Sequence, residues 1–152
     1  MPGADPIVRE IYIDARPEDV FPYLTNGDQY SLWMGLSAEL DARPGGLYRV
    51  VPNAQNVLRG EFLVVDPPRR VVFSWGFEGD GHAVPAGSTT VEIELIPQGE
   101  GTLLRLTHRD APPDYGERFT AGWTHYLPRL EQVATGRDPG PDPYAEPSHR
   151  HA

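Results

Sequence analysis

Residues 116–133, GERFTAGWTHYLPRLEQV, place Phe119, Trp123, Tyr126, Leu127, Leu130 and Val133 three or four positions apart, and Ala134 extends the series. That spacing puts them on one face of a helix. Pro128 falls between them on the other side, where it removes one backbone hydrogen bond, to the carbonyl of Thr124, and is expected to bend the helix. The stripe continues past the proline, so one bent helix is predicted, stopped by Gly136. Upstream the pattern has period two. Val91, Ile93 and Leu95 alternate with Thr90, Glu92 and Glu94, and Leu104, Leu106 and His108 alternate with Arg105, Thr107 and Arg109. Val71, Phe73, Trp75 and Phe77 share a side, as do Leu58, Phe62 and Val64. Such alternation marks strands with one face buried. On the polar face, Glu92 and Glu94 read as solubilising charges.

The remaining elements complete an α+β order. Residues 7–14, IVREIYID, make a first strand with Ile7, Ile11 and Ile13 on one side. Pro17 with Glu18 and Asp19 opens a short helix carrying Val20, Phe21 and Leu24: proline suits the first turn, and acids suit the positive end of the helix dipole. Asn26-Gly27 ends it, and a second short helix carries Tyr30, Trp33 and Met34. Six closely spaced strands follow, separated by Pro44-Gly45-Gly46, by Pro67-Pro68, by the Gly-rich 78–87 loop and by a QGEG hairpin, so the sheet is expected to be antiparallel. A sheet with one apolar face needs a cover, and the C-terminal helix supplies it.

Several segments in this order resemble the START-like (SRPBCC) superfamily with its helix-grip fold, and more closely its branch named after the activator of Hsp90 ATPase. They are ARPEDVFPYLT after the first strand, Trp33, DARPGGLYRV with its Gly45-Gly46 turn, GEFLVVDPPRRVVFSWGFE, QGEGTLLRLTHR, and AGWTHYLPRL opening the last helix. The resemblance spans residues 6–136, and Pro128 departs from the usual pattern. It implies a curved antiparallel sheet wrapped around the long helix, with a cavity between them that in other members takes apolar or amphipathic small molecules. Some members are cyclases or dehydratases acting on polyketides. The eukaryotic co-chaperone that names the branch carries extra domains, for which this chain has no room.

Composition narrows the choices. With 152 residues the chain is read as one domain over 1–136 and a Pro-rich tail, 137–152, expected to be disordered. Thirteen basic residues, scattered, stand against 22 acidic ones, for a net charge of −9. Nucleic acid and anionic membrane surfaces are therefore poor partners. No cysteine is present, which removes disulfides, thiolate nucleophiles and cysteine-based zinc sites. The opening MPGADPIVRE has no apolar run, and no stretch approaches the roughly 20 residues of a membrane span. A cytoplasmic location is expected, with monomer and homodimer both open.

The candidate ligand-binding residues are Trp33, Tyr48, Phe62, Phe73, Trp75, Leu104, His108, Trp123, Tyr126 and Leu127. Each side chain suits a pocket wall, and each suits plain core filling equally well. His108 takes the inward parity of Leu104 and Leu106. Burial should lower its pKa, and it is the candidate anchor or general acid/base, with a sheet-edge histidine as the plainer alternative. His82 is expected in a solvated loop and His125 on the exposed side of the helix. His82, His108 and Asp110 are the best metal group available, and their spacing matches no ligand motif, so neither metal nor cofactor is expected. His149 and His151 in the tail could bind metal adventitiously. Three functions follow: a binder of a small hydrophobic or amphipathic molecule, a cyclase- or dehydratase-type enzyme acting on an aromatic or polyketide-like substrate through His108, or an Hsp90-type co-chaperone or interaction module.

Overall fold

The computed structural model describes residues 6–143. Seven strands form one antiparallel sheet: β1 (Ile7–Ile13), β2 (Ser37–Leu40), β3 (Leu47–Asn53), β4 (Asn56–Asp66), β5 (Arg70–Trp75), β6 (Thr89–Gln98) and β7 (Gly101–Arg109), in the spatial order β1-β7-β6-β5-β4-β3-β2. The meander from β2 to β7 needs short connections except for the long 76–88 loop between β5 and β6, and β1 returns to pair with β7, Ile7 opposite His108 and Ile13 opposite Thr102. The long helix, α4 (Gly116–Ala134), follows a single 3-10 turn at Pro113–Tyr115 and lies on the apolar face. This is the helix-grip fold that the family resemblance implies, built from the strands and covering helix that the patterns predict.

Between β1 and β2 the two predicted helices become three single turns: α1 (Pro17–Val20), α2 (Pro22–Thr25) and α3 (Gly27–Tyr30). Pro22 has no N–H to continue α1, so the chain restarts there. The Asn26 side chain then accepts a 3.1 Å hydrogen bond from the Gln29 N–H and caps α3. These turns cover one end of the core. There Trp33 is fully buried, and its indole donates to the Tyr23 carbonyl at 2.9 Å.

The predicted helix stripe is buried as one row: Phe119, Trp123, Tyr126, Leu127 and Leu130 are inaccessible or nearly so, and Val133 and Ala134 pack against the same core. Pro128 sits exposed on the outer side and the helix runs through it. The strand parities hold for β5, β6 and β7. They fail in β4. Phe62 pairs with Phe73, but Val64 then pairs with Val72, so Leu63 is an extra, bulged residue. Past a bulge the side chains change faces. Val65, opposite Val71, packs on the core in place of the predicted Val64.

Three further expectations are corrected. Glu92 is not a solvated surface charge. It is 8% exposed and held by Arg70 at 2.6 Å and Arg109 at 2.8 Å. Burial alone would raise its carboxyl pKa, but the two guanidinium partners outweigh that and hold it below the usual range. The tail is not loose from residue 137 onward. Arg129 donates to the carbonyls of Pro139 at 3.3 Å and Gly140 at 3.0 Å, and Asp142, 8% exposed, lies 2.8 Å from His125. His125 is consequently half-buried, contrary to expectation. Residues 1–5 and 144–152, with His149 and His151, lie outside the described residues. Truncation after Gly136 should therefore cost about 1–2 kcal/mol of stability, the worth of a few charge-assisted hydrogen bonds near the surface. An unchanged urea midpoint for that truncation would mean that the docked segment is energetically idle.

Candidate functional site

A cavity of about 570 Å³ opens beneath the first half of α4. The helix contributes Phe119, Gly122, Trp123 and Tyr126, with Arg118 and Ala121 at its rim. The sheet contributes Leu58, Trp75 and Phe77. Pro52, Asn53 and Asn56 at the β3–β4 turn, the 82–84 stretch of the long loop, Met34 and Tyr115 close the sides.

Local sequence explains this shape. Gly76 follows β5, and a Cβ there would lie 1.8 Å from the Pro85 carbonyl oxygen. Only glycine lets the 76–88 loop fold back so closely, and that return brings Val84 and His82 to the opening. Phe77 bridges Leu58 on one side and Pro85 on the other, and His82 stacks on it with ring centroids 5.4 Å apart. On the opposite wall Gly122 interrupts the helix stripe. A Cβ built there meets nothing within 4 Å, so its missing side chain is cavity volume. Mid-helix glycine costs about 1 kcal/mol relative to alanine.

The wall itself is a set of edge-to-face rings. Trp75 lies 5.0 Å from Phe119 at 80° and 5.5 Å from Phe77 at 63°. This geometry matches the quadrupoles of the rings and leaves them rigid.

Of the ten predicted ligand-binding residues, Trp75, Trp123 and Tyr126 line this cavity. Trp33, Tyr48, Phe62, Phe73, Leu104, His108 and Leu127 do not. Apart from His108, they fill the core. There Tyr48 stacks on Phe73 at 4.2 Å, and its hydroxyl meets that of Tyr30 at 2.6 Å. Burial raises the pKa of both phenols, which stay protonated and share one hydrogen bond.

His108 points inward as its parity requires and is 1% exposed. It stands behind the cavity wall, stacked on Phe119 at 5.1 Å and 4.8 Å from Trp75. Both ring nitrogens are engaged. The Trp123 indole can only donate, so its 3.1 Å bond makes Nδ1 the acceptor. The neutral ring then carries its proton on Nε2 and donates to Thr89 Oγ1 at 2.8 Å, and the Thr89 hydroxyl donates in turn to the Trp75 carbonyl at 2.7 Å. Burial lowers the imidazole pKa to about 4. The pKa falls as expected. The cavity-facing position does not follow, because the chain from Trp123 through His108 and Thr89 to Trp75 ties helix to sheet and leaves no free nitrogen. This geometry gives His108 a structural role, and among the described residues no group of three or more His, Asp or Glu could hold a metal ion.

Sequence reasoning missed Phe77, Phe119, Arg118 and Gly122 as site residues. The Gly-Trp pair at 122–123 carried a usable signal: a glycine inside an otherwise strong helical stripe marks a place where a side chain is missing on purpose or for packing.

The chain matches the family model described as Activator of Hsp90 ATPase homolog 1-like protein over residues 14–135. Among solved structures it is similar to an AHSA1-like protein from Rhizobium etli, at 44% identity, covering 96% of this chain and 92% of that one with a TM-score of 0.71. It is similar in fold to a protein from Mesorhizobium loti, at 23% identity over 86% of this chain and 97% of that one, TM-score 0.77. It is similar in fold also to the Aha1 dimer from Colwellia psychrerythraea, at 19% identity over 91% of this chain and 100% of that one, TM-score 0.75. No curated protein matches it.

Proposed function

Since the chain belongs to the Activator of Hsp90 ATPase homolog 1-like family, we propose that it binds a small hydrophobic or amphipathic molecule beneath the first half of α4. The observation that carries this reading is the aromatic-walled cavity of about 570 Å³. That volume suits a compact ligand of one to three rings, since small-molecule sites run from about 300 to 1,000 Å³. Edge-to-face rings that are already packed need no reordering on binding, which keeps the entropic cost low. A catalytic reading has less support, because its one candidate base, His108, is tied into the core. The Colwellia psychrerythraea neighbour is a dimer, and a homodimer of this chain is compatible with that fold.

The test uses Gly122 as a plug. N-phenyl-1-naphthylamine, a neutral probe that fluoresces in apolar sites, should bind the wild-type protein saturably. Gly122→Phe directs a ring into the open space beside Gly122 and should weaken binding at least about tenfold, the loss of roughly 1.4 kcal/mol. Gly122→Ala should retain binding and gain about 0.5–1 kcal/mol of stability. Equal probe affinity in wild type and Gly122→Phe would remove the cavity as the binding site. Native mass spectrometry of protein purified from its own host would then identify what, if anything, co-purifies.

A further inference from the structure

The cavity is apolar inside and has a polar mouth of one sign. In a chain of net charge −9, no carboxylate of the described residues lines it. The charged side chain that does is Arg118, in the first turn of α4, whose guanidinium carbon sits 5.0 Å from the Tyr115 ring centroid. Arg118 makes no ion pair among the described residues, whereas Arg49, Arg59, Arg70, Arg105 and Arg109 are all paired with glutamates. The neighbouring Glu117 faces away, into the groove beside β1. Around the same mouth stand the His82 imidazole and the amides of Asn53 and Asn56. None of these lining groups carries a negative charge, and the first turn of α4 adds the positive end of its dipole.

We infer that the ligand is an organic anion: a flat aromatic body held among Trp75, Phe119 and Trp123, with a single acidic group at the mouth against Arg118. This rests on the cavity reading proposed above and deepens it. The aromatic body follows from the wall. Rings set edge to face present both faces and edges to a guest ring, which an aliphatic chain cannot exploit. The acidic group follows from the mouth. A guanidinium offers a planar fork of donors suited to a carboxylate or sulfonate, and the Tyr115 ring beneath it restricts its motion. The remaining acids of the protein repel anions at long range, so discrimination is local to this rim.

Two probes that share one ring system separate the claims. 1-Anilinonaphthalene-8-sulfonate is N-phenyl-1-naphthylamine with an added sulfonate. Wild-type protein should bind the sulfonate about tenfold more tightly than the neutral probe, the increment of one partly exposed charge-assisted pair. Arg118→Gln should bring the ratio of the two dissociation constants close to one, and Arg118→Lys should restore part of it. In competition, 2-naphthoate should displace the sulfonate probe at lower concentration than octanoate does. If the neutral probe binds and Gly122→Phe blocks it, yet the ratio is one in wild type, the anion assignment falls while the cavity stands. A ratio that survives Arg118→Gln overturns the role of Arg118. Octanoate competing as well as naphthoate overturns the aromatic body. If neither probe binds, both readings fall together.

Discussion

Replacing Trp123 with Ala lowers the stability of the protein by about 3–5 kcal/mol, the range for truncating a buried aromatic. Trp123 is 3% exposed and sits where the helix stripe meets the sheet. Its indole lies 6.4 Å from that of Trp75, and its N–H is the donor that satisfies His108 Nδ1. Truncation removes the packing and leaves a buried acceptor without a donor, which by itself costs about 1–3 kcal/mol. The two contributions separate in Trp123→Phe. Most of the apolar bulk remains and only the hydrogen bond goes, so this variant should lose the smaller amount. Urea unfolding monitored by circular dichroism reads both. The midpoints should shift with an unchanged slope, as expected when only the native state is affected. An Ala variant within about 1 kcal/mol of wild type would mean that α4 is not held to the sheet through this residue.

The second large effect is a pH dependence carried by His108. In the folded protein burial lowers its pKa to about 4, and in the unfolded chain it returns to about 6.5. Above pH 6.5 the ring is neutral in both states and contributes no slope. Between 6.5 and about 4 the unfolded chain takes up a proton that the folded protein refuses, so stability falls as pH falls. The loss approaches about 1.4 kcal/mol per unit and totals roughly 3 kcal/mol, complete once pH is below the folded value. Protonation also places an N–H at Nδ1, facing the Trp123 donor, so the charged ring loses its helix-to-sheet bond. Glu92 works in the same direction over a lower range, since its carboxyl is held below the usual value. His108→Gln isolates the histidine: an amide can accept from Trp123 and donate to Thr89 without titrating. Subtracting its stability-against-pH curve from that of wild type cancels the carboxylates. The difference should be flat above pH 6.5 and drop below it. Parallel curves throughout would show that His108 does not titrate with unfolding.

The two effects share one physical origin. The donor chain from the Trp123 indole through His108 and Thr89 to the Trp75 carbonyl is closed at both ends. It turns a buried polar residue into a fixed strut directly behind the cavity wall. The rings in front of it, Trp75 and Phe119, are thereby anchored from behind. A rigid wall of this kind suits a binding site that is already formed before its ligand arrives.

The sequence by itself determined the elements and their faces. Alternation in 89–98 and 101–109 and the three-and-four spacing of 119–134 follow from the geometry of strand and helix, which is local. Both were readable as a sheet face and a covering helix. The inward aim of His108 came from the same rule, and so did the direction of its pKa. Tertiary structure alone decided which inward residues meet space and which meet neighbours. Tyr48 and Phe73 carry the same pattern as Trp75, yet Tyr30 of the short helical turns meets Tyr48, which stacks on Phe73, while Trp75 lines the cavity. That difference depends on the return of the 76–88 loop over Gly76 and on the side chain absent at Gly122. Each acts on residues distant in sequence. The partners of His108 are decided in the same way. Trp123 is 15 residues away and Thr89 is 19, and no local periodicity encodes a hydrogen bond between elements that meet only when the fold is complete.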